Sequence, residues 1–290
     1  MKCLHPFWLH KLGFYVPCGR CAECKRQRRL AWANRIMVES NYWPSTAFVT
    51  LTYQDCWLPD SLEPEHLTKF FKRLRRDLPG RKIKYYACGE YGEKGRPHYH
   101  FIGFGLDSVK DREVIKENWP YCDWLALESS PRGREAITSF SYGTAYYVAG
   151  YVQKKLYGDK AKENYEMQGL YPPFSRMSKG IGLQFALDNK EILSKTLTFS
   201  RQGYTVALPK YFRDKLGVSP DVMSEKHFDR VIQDKRFQLF WKSRSWIPNV
   251  DDAIRCYGLW LESSKNAQDS VYQREIDALR KEVLFSRGEL

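Results

Sequence analysis

The sequence lacks any apolar run long enough to cross a bilayer as a helix, which takes about 20 residues. Its first residues, Met1 to Trp8, also lack the apolar core of a secretory signal. A soluble chain of a reducing cytoplasm is therefore expected. No internal repeat or low-complexity segment stands out, so the chain does not read as a repeat array. Acidic residues are in the minority, with 34 Asp and Glu against 47 Lys and Arg and a formal net charge of +13. This argues against a partner of like positive charge. Aromatic residues, at 15%, are abundant instead. Cations neutralise phosphates and exposed rings stack on bases, so a basic, aromatic-rich chain points to nucleic acid. At 290 residues the chain can bury a sizeable core, as one domain with extensions or as two small domains.

The eight cysteines are clustered rather than spread as a disulfide framework. Cys18, Cys21 and Cys24 follow a Cys-x2-Cys-x2-Cys spacing, and Cys3 lies fifteen residues before Cys18. Four thiolates suit a tetrahedral structural Zn2+ site. The triplet runs into a basic helix with Leu30, Ala33, Ile36 and Met37 at helical spacing. Its first turns carry Lys25, Arg26, Arg28 and Arg29, read either as a solvated face or as phosphate contacts.

Ala47 to Tyr53 is β-branched and aromatic, hence a strand, with Thr50 and Thr52 on one face. Glu63 to Leu78 is a helix with Leu67, Phe70, Phe71, Leu74 and Leu78 as its apolar stripe and Pro64 in its first turn. His66 is expected at the surface. Ile83 to Glu90 and Arg96 to Phe104 read as strands joined by a Gly-containing turn. Side chains alternate along a strand, so His98 and His100 point to one face and Tyr99 and Phe101 to the other. In a hairpin, Glu90 can add an oxygen ligand beside the two imidazoles.

Residues 106–140 read as loops around a short strand. Thr144 to Leu156 reads as a helix with Thr144 as N-cap. Tyr147 and Tyr151, four apart, share a face with Lys154 and Lys155, while Val148, Val152 and Leu156 supply a packing face. Tyr146 points elsewhere and is structural. Gly150, between the two tyrosines, weakens the helix by about 1 kcal/mol relative to alanine. Ser175 to Gly182 reads as a basic, glycine-containing loop. Residues 183–194 and 209–216 carry helical patterns, and Tyr272 to Leu284 reads as an amphipathic helix.

A divalent metal held by two histidines and a carboxylate, beside two phenols and a basic surround, suits phosphodiester chemistry. A phenol with a reference pKa near 10 is a weak nucleophile, but it can attack a phosphodiester that a metal polarises.

At this point a resemblance becomes visible. Phe48 to Thr52, His98-Tyr99-His100, and Tyr147 and Tyr151 with Lys154 and Lys155 resemble the three ordered motifs of the HUH (His-hydrophobe-His) rolling-circle replication initiators. The nearer likeness is to the replication initiation proteins of microviruses, small single-stranded DNA phages, of the gokushovirus type. Val16 to Cys24, Gly89 to Gly92, Arg176 to Ser178 and Leu208 to Phe212 also resemble that group. The likeness is dense to about Leu156 and sparse afterwards. A tyrosine in the middle of His-x-His departs from the aliphatic residue that the family name leads one to expect.

The resemblance implies an α+β fold: a central antiparallel β-sheet flanked by helices, the HUH endonuclease or RRM-like core. An N-terminal Cys-rich element and a mainly helical C-terminal extension complete it. The expected division is 1–40 for the Cys-rich element and basic helix, 41–160 for the core and 161–290 for the extension. It further implies a site- and strand-specific nickase of a phage replication origin. Such an enzyme acts through a covalent 5′-phosphotyrosine and rejoins the strand in rolling-circle replication. His98, His100 and Glu90 would bind Mg2+ or Mn2+, Tyr147 and Tyr151 would alternate as nucleophiles, and Lys154 would stabilise phosphate or phenolate. The expected partners are single-stranded DNA, with host helicase and replication machinery, and no membrane, in the host bacterial cytoplasm. The role of residues 190–290 is open between packing on the core and contacting a host helicase. The rival readings are a non-catalytic, zinc-containing single-stranded DNA-binding protein and a metal hydrolase using activated water. The first leaves the His and Tyr pairs unexplained. The second lacks a third or fourth His or Asp ligand close in the chain to His98 and His100.

Overall fold

The computed structural model describes residue 3 and residues 7–9, 14–92, 94–130, 136–154, 163–201 and 203–218. The chain divides into two compact units, Arg28–Phe212 and the residues on either side of it. In the flanking unit, β1 (Phe7–Leu9) and β2 (Phe14–Val16) pair antiparallel. Helix α1 spans Ala22–Ser40.

The unit Arg28–Phe212 is built on a five-stranded sheet. Its strands are β3 (Thr46–Leu51), β4 (Lys84–Tyr91), β5 (Pro97–Phe104), β6 (Ile137–Ser139) and β7 (Phe174–Met177). They lie in the order β6-β3-β5-β4-β7, every neighbouring pair antiparallel. This is the α+β, sheet-centred fold expected from the sequence. The histidine strand β5 takes the middle place, where both of its faces are covered.

One face of β5 carries Tyr99 and Phe101, buried with Val49 and Leu51 of β3 beneath helix α2 (Pro64–Asp77). Leu67, Phe70, Phe71 and Leu74 form that helix's buried stripe, and Pro64 stands in its first turn, where a missing N–H is harmless. The other face carries His98, His100, Ile102 and Phe104 on β5. Ile102 and Phe104 pack with Ala33 and Ile36 of α1 and with Ala145, Val148 and Ala149 of helix α5 (Tyr142–Lys154). A one-residue slip of β5 would exchange the two faces and send the histidines under α2. The β4–β5 turn holds the register. Gly92 N–H donates to Arg96 O at 2.9 Å and Gly95 N–H to Gly92 O at 2.9 Å, with Gly95 at φ +73°. That left-handed conformation suits glycine.

Several local expectations are corrected. Residues 106–140 contain two short helices, α3 (Arg112–Glu117) and α4 (Trp124–Ser129), the latter capped by the Asp123 carboxylate accepting from Ala126 N–H. Six residues are too few to display a helical period. Ser175 to Gly182 is not all loop, because Phe174–Met177 forms edge strand β7 against β4. The pattern over 183–194 is two helices, α6 (Leu183–Asp188) and α7 (Lys190–Thr196), broken at Asn189. A hairpin of β8 (Thr198–Arg201) and β9 (Tyr204–Ala207) follows, then helix α8 (Lys210–Leu216). The N-cap of α5 is Ser141, not Thr144. Thr144 N–H donates to Ser141 Oγ at 3.1 Å and Ser141 N–H to Thr144 Oγ1 at 3.0 Å, a reciprocal capping box. His66 is half-buried rather than simply exposed, 2.9 Å from the Tyr53 hydroxyl and stacked on Tyr121 at 4.4 Å. The helix expected over Tyr272 to Leu284 lies outside the described residues.

Candidate metal and nucleophile site

Strand pairing assembles the site. Register sets Glu90 opposite His98, and Cys88 and Thr50 opposite His100 on either side. Paired residues share a face, so Glu90, His98, His100 and Thr50 all project towards α5. Glu90 and His100 are buried, and the Glu90 carboxylate oxygen lies 3.0 Å from His98 Nε2 and 3.4 Å from His100 Nε2. The three ligand atoms lie within 4.8 Å of one another.

The chemistry of this donor set fits a divalent cation. His98 Nδ1 stands 3.1 Å from the Arg96 carbonyl, which can only accept. Its Nε2 faces an ionised carboxylate, also an acceptor. A neutral imidazole has one N–H to offer two acceptors. A cation shared by Nε2 and the carboxylate removes that conflict, and two imidazoles with a carboxylate form a familiar ligand set for such ions.

Helix α5 brings the two tyrosines onto the same imidazole. The Tyr151 ring lies parallel to His100, with centroids 5.0 Å apart, and the Tyr147 ring meets His100 edge-on at 5.2 Å. The two phenol rings are 4.9 Å apart and nearly perpendicular. Phe48 stacks parallel to His100 at 5.9 Å and meets Tyr147 edge-on at 6.1 Å. Tyr147 is 44% exposed and Tyr151 only 7%. Desolvation pushes both phenols above their ordinary pKa, and in Tyr147 a hydrogen bond from Tyr151 acts against that rise. Lys154 ends α5, but its side chain and Lys155 lie outside the described residues.

Gly150 acquires a reason in the structure. A Cβ there would come within 2.7 Å of the Arg29 guanidinium. Arg29, 9% exposed, donates from Nε to Tyr146 O at 2.8 Å and lies 3.7 Å above the Tyr146 ring. This face of α5, Tyr146 and Gly150, is the seat of Arg29, and the adjacent face presents the phenols. Arg29 is thus committed to packing, a commitment that its basic sequence neighbours do not reveal. Arg26 pairs with Glu23 through two bonds of 2.8 Å, Arg28 is exposed and Lys25 is partly exposed.

The cysteines form a second cluster. The thiol sulfurs of Cys3, Cys18, Cys21 and Cys24 lie within 4.8 Å of one another, with Cys3–Cys21 and Cys18–Cys24 both at 3.9 Å. A tetrahedral zinc site with Zn–S of about 2.3 Å needs sulfurs about 3.8 Å apart. Desolvation raises the Cys18 thiol, but the Arg20 and Cys21 amides and the neighbouring thiols outweigh it and bring the group down to about 6. Amides that donate to sulfur favour the thiolate, the form that binds metal.

The comparisons with known proteins agree with this architecture. Residues 46–156, from β3 past the end of α5, match a family model described as replication-associated protein ORF2. The chain is 36% identical over 284 residues to replication-associated protein ORF2 of Spiroplasma virus 4, covering 91% of this chain and 78% of that protein. It is 31% identical over 223 residues to replication-associated protein VP4 of Bdellovibrio phage phiMH2K, covering 70% and 67%. It is 29% identical over 224 residues to replication-associated protein ORF4 of Chlamydia phage 1, covering 71% of this chain and 54% of that one. No solved structure matches. With the sheet, the histidine strand and the tyrosine helix inside the matched region, the chain belongs to the family of phage replication-associated proteins.

Proposed function

We propose that this protein initiates replication by nicking one DNA strand at a phage origin through a tyrosine nucleophile. The observation that carries the reading is the convergence of Glu90, His98 and His100 on one point, with the Tyr147 and Tyr151 rings packed on His100. When bound there, Mg2+ or Mn2+ would supply Lewis-acid polarisation of the scissile phosphate and neutralise the charge that develops. The chain's own residues do the rest. The phenol oxygen of one tyrosine bonds to phosphorus and the bond to the 3′ oxygen breaks. That oxygen departs as a hydroxyl, and in the overall balance it carries the phenolic proton. The 5′ phosphate stays on the tyrosine, so the energy of the broken bond is kept for rejoining. Lys154, at the end of α5, is the proposed partner for phosphate or phenolate. Lys25, Arg26, Arg28 and Lys155 are proposed backbone contacts, and the four cysteines a structural Zn2+ site. Host replication proteins are the proposed further partners.

The test is a labelled single-stranded fragment of the origin incubated with Mn2+ or with EDTA and resolved on a denaturing gel. The expected result is a metal-dependent covalent adduct that the Tyr147→Phe/Tyr151→Phe double variant and His100→Ala fail to form. Binding of the same DNA without any adduct would overturn the nickase reading in favour of a non-catalytic DNA-binding protein.

A further inference from the structure

We infer that Thr50 is a positioning residue that sets which nitrogen of His100 faces the metal. The inference rests on the metal reading above. Thr50 belongs to β3, and antiparallel register places it directly opposite His100. Its Oγ1 lies 2.9 Å from His100 Nδ1, while His100 Nε2 faces the Glu90 carboxylate at 3.4 Å. For Nε2 to offer its lone pair to a cation, the ring proton must reside on Nδ1. A hydroxyl there can accept that proton's hydrogen bond. A hydroxyl can also donate, so the same atom serves the ring in either tautomer.

The two histidines are held by different means. His98 Nδ1 faces the Arg96 main-chain carbonyl, a partner that no side-chain substitution removes. His100 Nδ1 faces a side chain that a substitution can remove. The outer hydrogen bond of a metal-bound histidine fixes its tautomer and ring plane. At His100 the plane matters twice. The ring lies within 6° of parallel to Tyr151 and 12° of parallel to Phe48, so a turned imidazole would also lose its stack on a proposed nucleophile. Thr50 therefore links strand β3 both to the metal and to the tyrosine helix. Thr52, two residues on, is in contact with Cys122 Sγ at 3.5 Å and serves as the comparison position.

The experiment measures Mn2+ binding to the full chain without DNA, by the paramagnetic resonance signal of free Mn2+. Thr50→Val keeps the shape and removes the hydroxyl, Thr50→Ser keeps the hydroxyl, and Thr52→Val controls for a hydroxyl lost nearby. Thr50→Val should weaken Mn2+ binding roughly 10- to 100-fold, with Thr50→Ser and Thr52→Val close to the parent. Parent-like affinity in Thr50→Val, or equal losses in Thr50→Val and Thr50→Ser, would overturn the role of the hydroxyl. A parent that binds no Mn2+ would overturn the metal reading itself and this inference with it. A second readout needs no variant. Nitrogen NMR of the Mg2+-saturated parent should show His100 protonated at Nδ1, and protonation at Nε2 would be fatal to the proposal.

Discussion

Tyr147 and Tyr151 are four residues apart on one helix, yet their surroundings differ in a way that assigns an order. Tyr147 is 44% exposed, while Tyr151 is 7% exposed and lies flat against His100. A phosphodiester arriving from solvent meets the Tyr147 oxygen first, and Tyr151 is reached only after its ring leaves the imidazole. Tyr147→Phe should therefore abolish the covalent adduct in the first cut. Tyr151→Phe should keep that adduct and fail to rejoin the strand. The assay is the origin cleavage gel, followed by addition of a fresh 3′-OH acceptor. A parent level of first-cut adduct from Tyr147→Phe would reverse the order.

At the scale of elements, the site's legibility followed the length and pairing of each segment. The alternation in β5 and the helical stripe of α2 were readable because each extends over enough residues to show its period. Glu90 was readable as a ligand once a hairpin was assumed, since β4 and β5 are neighbours in sequence. Thr50 was not. It was visible as sharing a face with Thr52, but its pairing with His100 is set by non-local register across a 50-residue separation. Arg29 was likewise opaque. Its neighbours are basic, and only the contact with Tyr146, 117 residues away, turns it into a packing residue. The same contact explains Gly150, which by helix propensity alone looks like a defect. Alanine there would gain about 1 kcal/mol of propensity but displace a buried guanidinium whose hydrogen bonding contributes about 1.5–3 kcal/mol. Gly150→Ala should thus lower stability by about 1 kcal/mol, a fall of about 2–4 °C in Tm for a domain of this size. In an Arg29→Ala background the clash is absent, and the same substitution should be neutral or stabilising. Thermal melts of the four variants check this, and additive effects would disprove the coupling.

At the scale of the whole molecule, two metal-capable clusters occur among the described residues, and their chemistry is different. The thiol cluster suits zinc and the His–Glu cluster suits a harder ion. Metal analysis of the purified protein should find about one zinc per chain, and Cys21→Ser should lose it while retaining Mn2+ binding. Loss of both metals in Cys21→Ser would mean that the two sites are not independent.

Charge is the other molecular property with a measurable consequence. Lys and Arg exceed Asp and Glu by 47 − 34 = 13. Part of that excess is already engaged, as in Arg29 on Tyr146 and Arg26 on Glu23, so net charge overstates the number of phosphate contacts. About five contacts on a single strand would give a slope near −3.5 in log K against log salt, or roughly a 100-fold loss of affinity between 50 and 200 mM. Titration of labelled single-stranded DNA of arbitrary sequence, in EDTA, isolates this backbone contribution from metal and from origin recognition. A loss below about threefold would correspond to fewer than one phosphate contact. The basic excess would then be a property of the surface with no bearing on DNA, and origin binding would have to come from base contacts instead.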